Sequence, residues 1–274
     1  MKNIDEKVIR EFGQEWTKFN FDSESQQILE ETFLDYFSIF PWNILSKNAV
    51  GFDMGCGSGR WAKFIAPKVR ELNCIEPSNA IEVAKKNLRN YDNVNFLNET
   101  TEDCSLPSNS QDFGYCLGVL HHIPNTQDAI NDCVRLLKKG APFLLYIYYN
   151  FENKPPWFKF IWQLSDAIRK VVSVLPKNLK YPICNIIAVL VYFPLSRVAF
   201  LLEKFGVNVE NIPLSQYRNK PFYYCKNDSL DRFGTRLEQR FSKSQITNML
   251  LKSGCKNIKF SSNSPFWCCT AVKK

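Results

Sequence analysis

The segment Asp53-Met54-Gly55-Cys56-Gly57-Ser58-Gly59-Arg60 puts three glycines at alternate positions, between a short apolar run that enters it and a helical pattern that leaves it at Trp61. That order specifies a strand, a tight turn and a helix start. Glycines are needed where the backbone turns with positive φ and where a bound molecule comes too close for a Cβ. The free N–H groups of the helix start then favour an anionic ligand group. A dinucleotide dehydrogenase spaces its glycines G-x-G-x-x-G; here Arg60 stands at the third position, so the turn does not fit a nicotinamide site. Glu76 follows the next strand, close to the roughly 20-residue spacing at which an acidic side chain accepts ribose hydroxyls. The chain's two histidines, His121 and His122, are adjacent just beyond a fourth strand. Open α/β sheets bind ligands at that edge. A neutral imidazole is the side chain best matched to take a proton from a hydroxyl near pH 7. Neighbours at a strand end point to opposite sides, which makes His121 the first candidate base and His122 the second. Tyr148, at the end of a fifth strand, is placed to hydrogen-bond an acceptor.

The elements that must hold these residues alternate in type. After the strand entering the glycine turn, strands are expected at Glu71 to Ile75, Val94 to Leu97, Asp112 to Leu117 and Phe143 to Tyr149. The last is a continuous apolar and aromatic run, as in a strand buried on both faces. Helices are expected from Trp61 to Pro67, from Asn79 to Arg89 with Ser78 as cap, and from Asn125 or Thr126 to Lys139 before Gly140. A helix opened by Ser242 follows, then strands at Lys256 to Ser261 and Trp267 to Val272 as an antiparallel pair at the sheet edge. The fold class is therefore α/β: a Rossmann-like, seven-stranded, mostly parallel sheet with helices on both faces. The expected organisation is an N-terminal helical cap or lid over 1–48, a core domain over 49–149 and 236–274, and a helical insertion over 150–235.

A chain of 274 residues, 45% apolar and 23% charged, has the composition of an ordinary globular protein with a sizeable core. Its net charge of +8 comes from scattered Lys and Arg residues rather than a tract, which reads as a solvated surface. A weakly basic face toward an anionic membrane or substrate is the alternative. The ten cysteines include no C-x-x-C pair, and the opening Met-Lys-Asn-Ile-Asp-Glu is not an apolar leader. The expectation is a reduced, cytoplasmic compartment with no disulfide framework and no metal site.

Two regions carry no motif. Near the N-terminus, Phe12, Trp16, Phe19 and Phe21 precede a helical run from Ser25 to about Phe40. This is either a structural cap or a lid whose Trp16 and Phe12 close over a cofactor and exclude water. Between 150 and 235, helical segments at Trp157 to Trp162, Ile168 to Leu175 and Ile183 to Leu195 are punctuated by prolines. The longest apolar run, Ile183 to Phe193, stops at Pro194, short of the ~20 residues a spanning helix needs. A buried helix is expected, with no transmembrane segment; peripheral membrane contact through 157–195 is the alternative.

Glycine turn, Glu76, Leu106-Pro107 and the segment Leu117-Gly118-Val119-Leu120-His121-His122-Ile123-Pro124, taken in that order, resemble the class I S-adenosylmethionine-dependent methyltransferases, in their small-molecule branch. The resemblance covers most of 49–149 and the chain from 241 onward. It implies S-adenosylmethionine as cofactor, with Asp53, Gly55, Cys56, Gly57 and Gly59 around the methionine moiety and Glu76 and Pro77 at the ribose. Thr100, Thr101 and Glu102 stand where the family commonly has an adenine-contacting Asp, Gly118 and His121 line the other side of the donor, and Trp16 belongs to the same set. Direct in-line transfer to a small molecule or surface-glycan precursor is implied, with a sugar, a lipid-linked compound or an aromatic metabolite as acceptor. The other readings are a cofactor-binding protein that acts through a partner without catalysis, and a nucleic-acid methyltransferase. The chain has neither a base-flipping motif nor a basic tract, so no nucleic-acid partner is expected.

Overall fold

The computed structural model describes residues 2–18 and 26–274; Phe19, Phe21 and the expected helix start at Ser25 lie outside the described residues. The chain forms two compact units, 1–150 with 237–274, and 151–236.

The first unit is built on seven strands: β1 (Val50–Met54), β2 (Glu71–Ile75), β3 (Val94–Leu97), β4 (Phe113–Leu117), β5 (Pro142–Tyr146), β6 (Cys255–Phe260) and β7 (Cys269–Lys273). They lie in the order β3-β2-β1-β4-β5-β7-β6. The first five run parallel. The closing pair is antiparallel as expected, but β7 sits between β5 and β6 and is antiparallel to both. The chain winds outward from β1 through β2 to β3, then returns to β4 on the other side, so the winding reverses between β1 and β4. That reversal opens a crevice at the carboxyl ends of the two strands. Their register also locks them together: Gly51 pairs with Phe113 and Phe52 with Gly114. An added Cβ at either glycine would lie 2.2 Å from the facing phenyl ring, so each ring occupies the space of the side chain its neighbour lacks.

Around this sheet pack α1 (Glu6–Lys18), α2 (Gln26–Phe37), α3 (Ala62–Ile65), α4 (Ala80–Asn87), α5 (Thr126–Leu136) and a closing helix, Lys243–Lys252. Asn125 caps α5 through the Asp128 amide. Ser242 caps the closing helix in a reciprocal box with Gln245. Ser78 sits one residue before the cap position of α4, where its hydroxyl accepts from the Ala80 amide at 3.2 Å. The apolar core forms two layers, one including Phe33, Phe37, Trp61, Ile65 and Leu72, the other Phe52, Ile130, Leu145, Ile246 and Leu250. All ten cysteines are buried free thiols.

The second unit holds α6 (Pro156–Val172), α7 (Lys177–Ile187), α8 (Phe193–Lys204) and α9 (Phe222–Gly234). A π-helical turn, Ala188–Tyr192, joins α7 to α8, making one continuous helix of 28 residues, Lys177–Lys204. The expected break at Pro194 is absent because that residue falls at the start of α8 directly after the π turn. The wider turn relieves the clash between a proline ring and the carbonyl four residues earlier. By length and composition the helix is apolar enough to cross a membrane, and only 22% of its most apolar stretch is buried. Both the expected buried helix and the expected lack of any segment of spanning length are corrected by this geometry.

Candidate functional site

The glycine turn folds as its spacing demands. Gly55, Gly57 and Gly59 have φ of +75°, +54° and +76°. The amides of Gly55 and Cys56 both donate to the Ile75 carbonyl, at 2.8 and 3.0 Å, tying the turn to the end of β2. A Cβ on Gly55 would lie 2.5 Å from the Val119 side chain, so the turn and the segment after β4 meet there at glycine distance. The buried Glu76 links the same parts: one carboxylate oxygen accepts from the Gly57 amide at 3.1 Å, the other from the amide and hydroxyl of Ser78 at 3.0 and 2.5 Å. Burial raises its pKa, opposed by those three donors. A carboxylate offers about four acceptor positions, so one remains for a ligand hydroxyl.

Asp53, near the end of β1, is 2% exposed, and its Oδ2 has no hydrogen-bond partner among the described residues. Burial pushes its pKa up to about 8, with Glu76 adding to the rise and the Tyr115 hydroxyl and Arg60 opposing it. An orphaned buried carboxylate of this kind is completed by a cationic ligand group. Gly118, with φ of +79°, has open space where a Cβ would stand. These features fit S-adenosylmethionine, which brings cationic ammonium and sulfonium groups and a ribose. Asp53 and the glycine turn would hold the methionine moiety, Glu76 the ribose, and Gly118 the facing wall.

Helix α1 crosses the mouth of this turn. Gly13 lies against Ser78, with 3.0 Å between the serine Cβ and an added Cβ. Trp16 lies over Gly57, its indole 3.3 Å from a Cβ built there. The Arg60 guanidinium stacks on both Trp16 and Trp61, at 4.7 and 4.5 Å from the ring centres. Farther along α1, Phe12 packs on His122 with centroids 4.7 Å apart. One helix thus touches both the glycine turn and the histidines.

The histidines depart from expectation. Leu120–His122 is a 3₁₀ turn rather than a strand end, so the rings share one side, with centroids 4.0 Å apart. His121 is fully buried, stacks on Tyr148 at 3.8 Å, and has no hydrogen-bond partner on either ring nitrogen among the described residues. Burial, with the charges of His122 and Arg240, drives its pKa well below 6.5, which keeps it neutral at pH 7. His122 Nδ1 is 2.6 Å from the Leu237 carbonyl. A carbonyl only accepts, so Nδ1 carries a proton and Nε2 is the ring nitrogen left for proton exchange. Of the two rings, His122 is the one whose orientation this hydrogen bond fixes.

The remaining residues of the expected set divide. The Cys56 side chain lies in the apolar core, leaving only its main chain at the turn. Pro77 is half-buried beside Glu76. Thr101 is buried. The Thr100 hydroxyl accepts from the Asp103 amide at 3.1 Å, and the Glu102 carboxylate accepts from the Asn3 amide at 2.8 Å. Glu102 thus anchors the N-terminal segment. Sequence reasoning missed residues 237–241. Beyond the Leu237 carbonyl, the Gln239 amide donates to the His121 carbonyl at 3.1 Å, and Arg240 lies 4.9 Å over Tyr148 while pairing with the buried Glu238 at 2.8 Å. Their only sequence signal is a polar stretch, Glu238-Gln239-Arg240, just before a helix cap.

Residues 52–145 match a family model described as a methyltransferase domain. Over 104 residues the chain is 30% identical to an uncharacterized methyltransferase, YcgJ, of Bacillus subtilis, covering 37% of this chain and 41% of that one. It is 25% identical over 183 residues to a ubiquinone biosynthesis O-methyltransferase of Coxiella burnetii, covering 65% and 74%. The chain thus spans about two fifths of the first relative and three quarters of the second. A candidate methyltransferase from Bacillus halodurans shares the fold at a TM-score of 0.51 and 15% identity, over 82% of this chain and 70% of that one. With the glycine turn, the buried acidic pair and this strand order, residues 52–145 are similar to a methyltransferase domain that uses S-adenosylmethionine.

Proposed function

We infer that the protein transfers a methyl group to a hydroxyl of a small molecule by direct in-line displacement. One observation carries the oxygen acceptor: the Leu237 carbonyl fixes His122 with Nε2 as the ring nitrogen left for proton exchange. The similarity to an O-methyltransferase supports the same choice.

S-adenosylmethionine, when bound, supplies an already electrophilic methyl group. The chain therefore has to aim the acceptor, exclude water and accept a proton. Trp16 and Phe12 cover the glycine turn and His122 and shield the reacting centre from water. His121, stacked between His122 and Tyr148, sets the wall against which the imidazole is held. His122 Nε2 takes the hydroxyl proton as the oxygen–carbon bond forms. A sugar, a lipid-linked compound, an aromatic metabolite and a surface-glycan precursor are acceptors that fit this chemistry. Ten buried thiols are compatible with work in a reducing cytoplasm.

Tritium transfer from labelled S-adenosylmethionine into a small-molecule fraction of a cell extract tests the reading. The expected result is transfer by the native chain and none by Gly57→Arg. Binding of S-adenosylmethionine without transfer in any extract overturns it in favour of a non-catalytic binder.

A further inference from the structure

The second unit buries several charged side chains and exposes a large apolar surface. Inside it, Arg169 pairs with Asp166 at 2.7 Å, Arg232 approaches the same carboxylate at 3.6 Å, and Arg169 also donates to the carbonyls of Thr235 and Arg236 at 3.1 and 2.9 Å. Lys180, 3% exposed, donates to the Gly234 carbonyl at 3.0 Å. Outside it, the exposed side of α6 carries Trp157, Phe160, Ile161, Leu164, Ile168 and Val171, an apolar stripe at helical spacing. The helix Lys177–Lys204 exposes Leu179, Ile186, Leu190, Phe193 and Leu201. Of the 20 large apolar side chains exposed among the described residues, 17 belong to this unit. Water is the wrong solvent for such a surface.

Charge identifies what covers it. Residues 151–236 hold 13 Lys and Arg against 6 Asp and Glu, so +7 of the chain's net +8 lies in this unit. Exposed lysines flank the apolar helices: Lys170 at the end of α6, Lys177 and Lys204 at the two ends of the long helix. The exposed acid beside Lys204, Glu203, is paired with Arg218 at 2.7 Å. A protein partner for the apolar stripes would not need basic residues at their ends, whereas an anionic bilayer attracts them there.

We propose that α6 and the helix Lys177–Lys204 dock this protein on an anionic phospholipid surface, with their apolar sides in the acyl region of one leaflet and their terminal lysines among the headgroups. The long helix lies in the interface rather than crossing it. Its inner side is bonded to α9, where Ser229 donates to the Cys184 carbonyl at 2.8 Å and the helix carries Lys226, Asp228, Asp231 and Arg232. Crossing would draw those charges into hydrocarbon. Lipid docking requires no methyl transfer, so the two readings fail separately.

Vesicle flotation with the full chain decides it. Vesicles of phosphatidylglycerol and phosphatidylcholine should carry the native protein, with at least about 5-fold less bound to phosphatidylcholine alone. The exposed-residue variant Leu164→Glu/Ile168→Glu/Leu190→Glu should bind at least about 10-fold less, with unchanged circular dichroism and unchanged calorimetric binding of S-adenosylmethionine. Lys177→Glu/Lys204→Glu should lose the preference for anionic vesicles. No flotation with any vesicle, equal flotation of the apolar variant, or a discrete dimer that the apolar variant disrupts and vesicles do not bind would overturn it.

Discussion

The two units solve opposite solvent problems with the same residue types. In the first, apolar side chains fill both faces of the sheet, and among the polar groups left inside Asp53, Glu76, His121 and His122 gather at the carboxyl ends of β1, β2 and β4. In the second, the buried Arg169 and Arg232 meet Asp166, and beside a buried set that includes Val172, Ala188, Tyr192, Leu230 and Phe233 many large apolar side chains face out. Buried polarity therefore means different things in the two. The first keeps it incompletely satisfied, as at Asp53 Oδ2, where a ligand is to complete it; the second pairs Asp166 with cations of its own unit.

The comparison can be broken most directly at His122. Replacing it by Gln should lower the transfer rate by about 10²–10⁴-fold while leaving S-adenosylmethionine affinity within about 2-fold; a loss of affinity instead would make the ring structural. In the second unit, Asp166→Asn should destabilise by about 2 kcal/mol, between exposed and fully buried pairs, since Asp166 partners Arg169, Lys170 and Arg232. Chemical denaturation followed by hydrogen exchange should place that loss in 151–236 and leave the sheet unaffected.

Acidity should act on Asp53 and Asp166 with opposite signs. Asp53 has a folded pKa raised to about 8, so its contribution to stability is complete below the unfolded value of about 3.9 and is lost as pH rises through 8 without donor. Burial works to raise the Asp166 pKa, but the hydrogen bond and charge of Arg169, with Lys170 and Arg232, hold it below its ordinary value. Its contribution is present above the unfolded value and disappears as pH falls below it. Hydrogen exchange across pH 3 to 9 should show a loss toward alkaline pH around β1 and a loss toward acid, about 3.9 and below, around Asp166 on α6. Asp53→Asn should flatten only the first trend. The smallest effect should be the most specific. Binding of cationic S-adenosylmethionine beside Asp53 should release close to one proton at pH 7, read by calorimetry in buffers of different ionisation heat, and Asp53→Asn should abolish the release.

Much of the first unit was legible because its signals are local. A glycine turn, a strand ending in Glu76 and the caps Asn125 and Ser242 are each written within a few residues. The relation between His121 and His122 was not, because alternation holds in strands and fails in the 3₁₀ turn that follows β4. Nor was the Leu237 carbonyl, which meets His122 from 115 residues away. The Lys177–Lys204 helix was hidden by treating Pro194 as a stop, although a proline at a helix start after a π turn interrupts nothing. Its outward apolar face was left open between a buried helix and a peripheral membrane contact for another reason. A pattern of apolar residues gives the side of a helix that avoids water, and it gives the interior only when water is the surrounding medium.

The ten cysteines give the molecule an internal clock. Each is sealed from solvent, and burial holds the thiols of Cys116 and Cys269 well above their ordinary pKa, so the folded state keeps them from alkylating reagents. Modification at a given thiol therefore records the opening of the layer around it. Cys184 and Cys225 report for the insertion and the other eight for the sheet and its helices. A single timed exposure to an alkylating reagent, followed by peptide mass analysis, would date the opening of both units in the same unaltered chain.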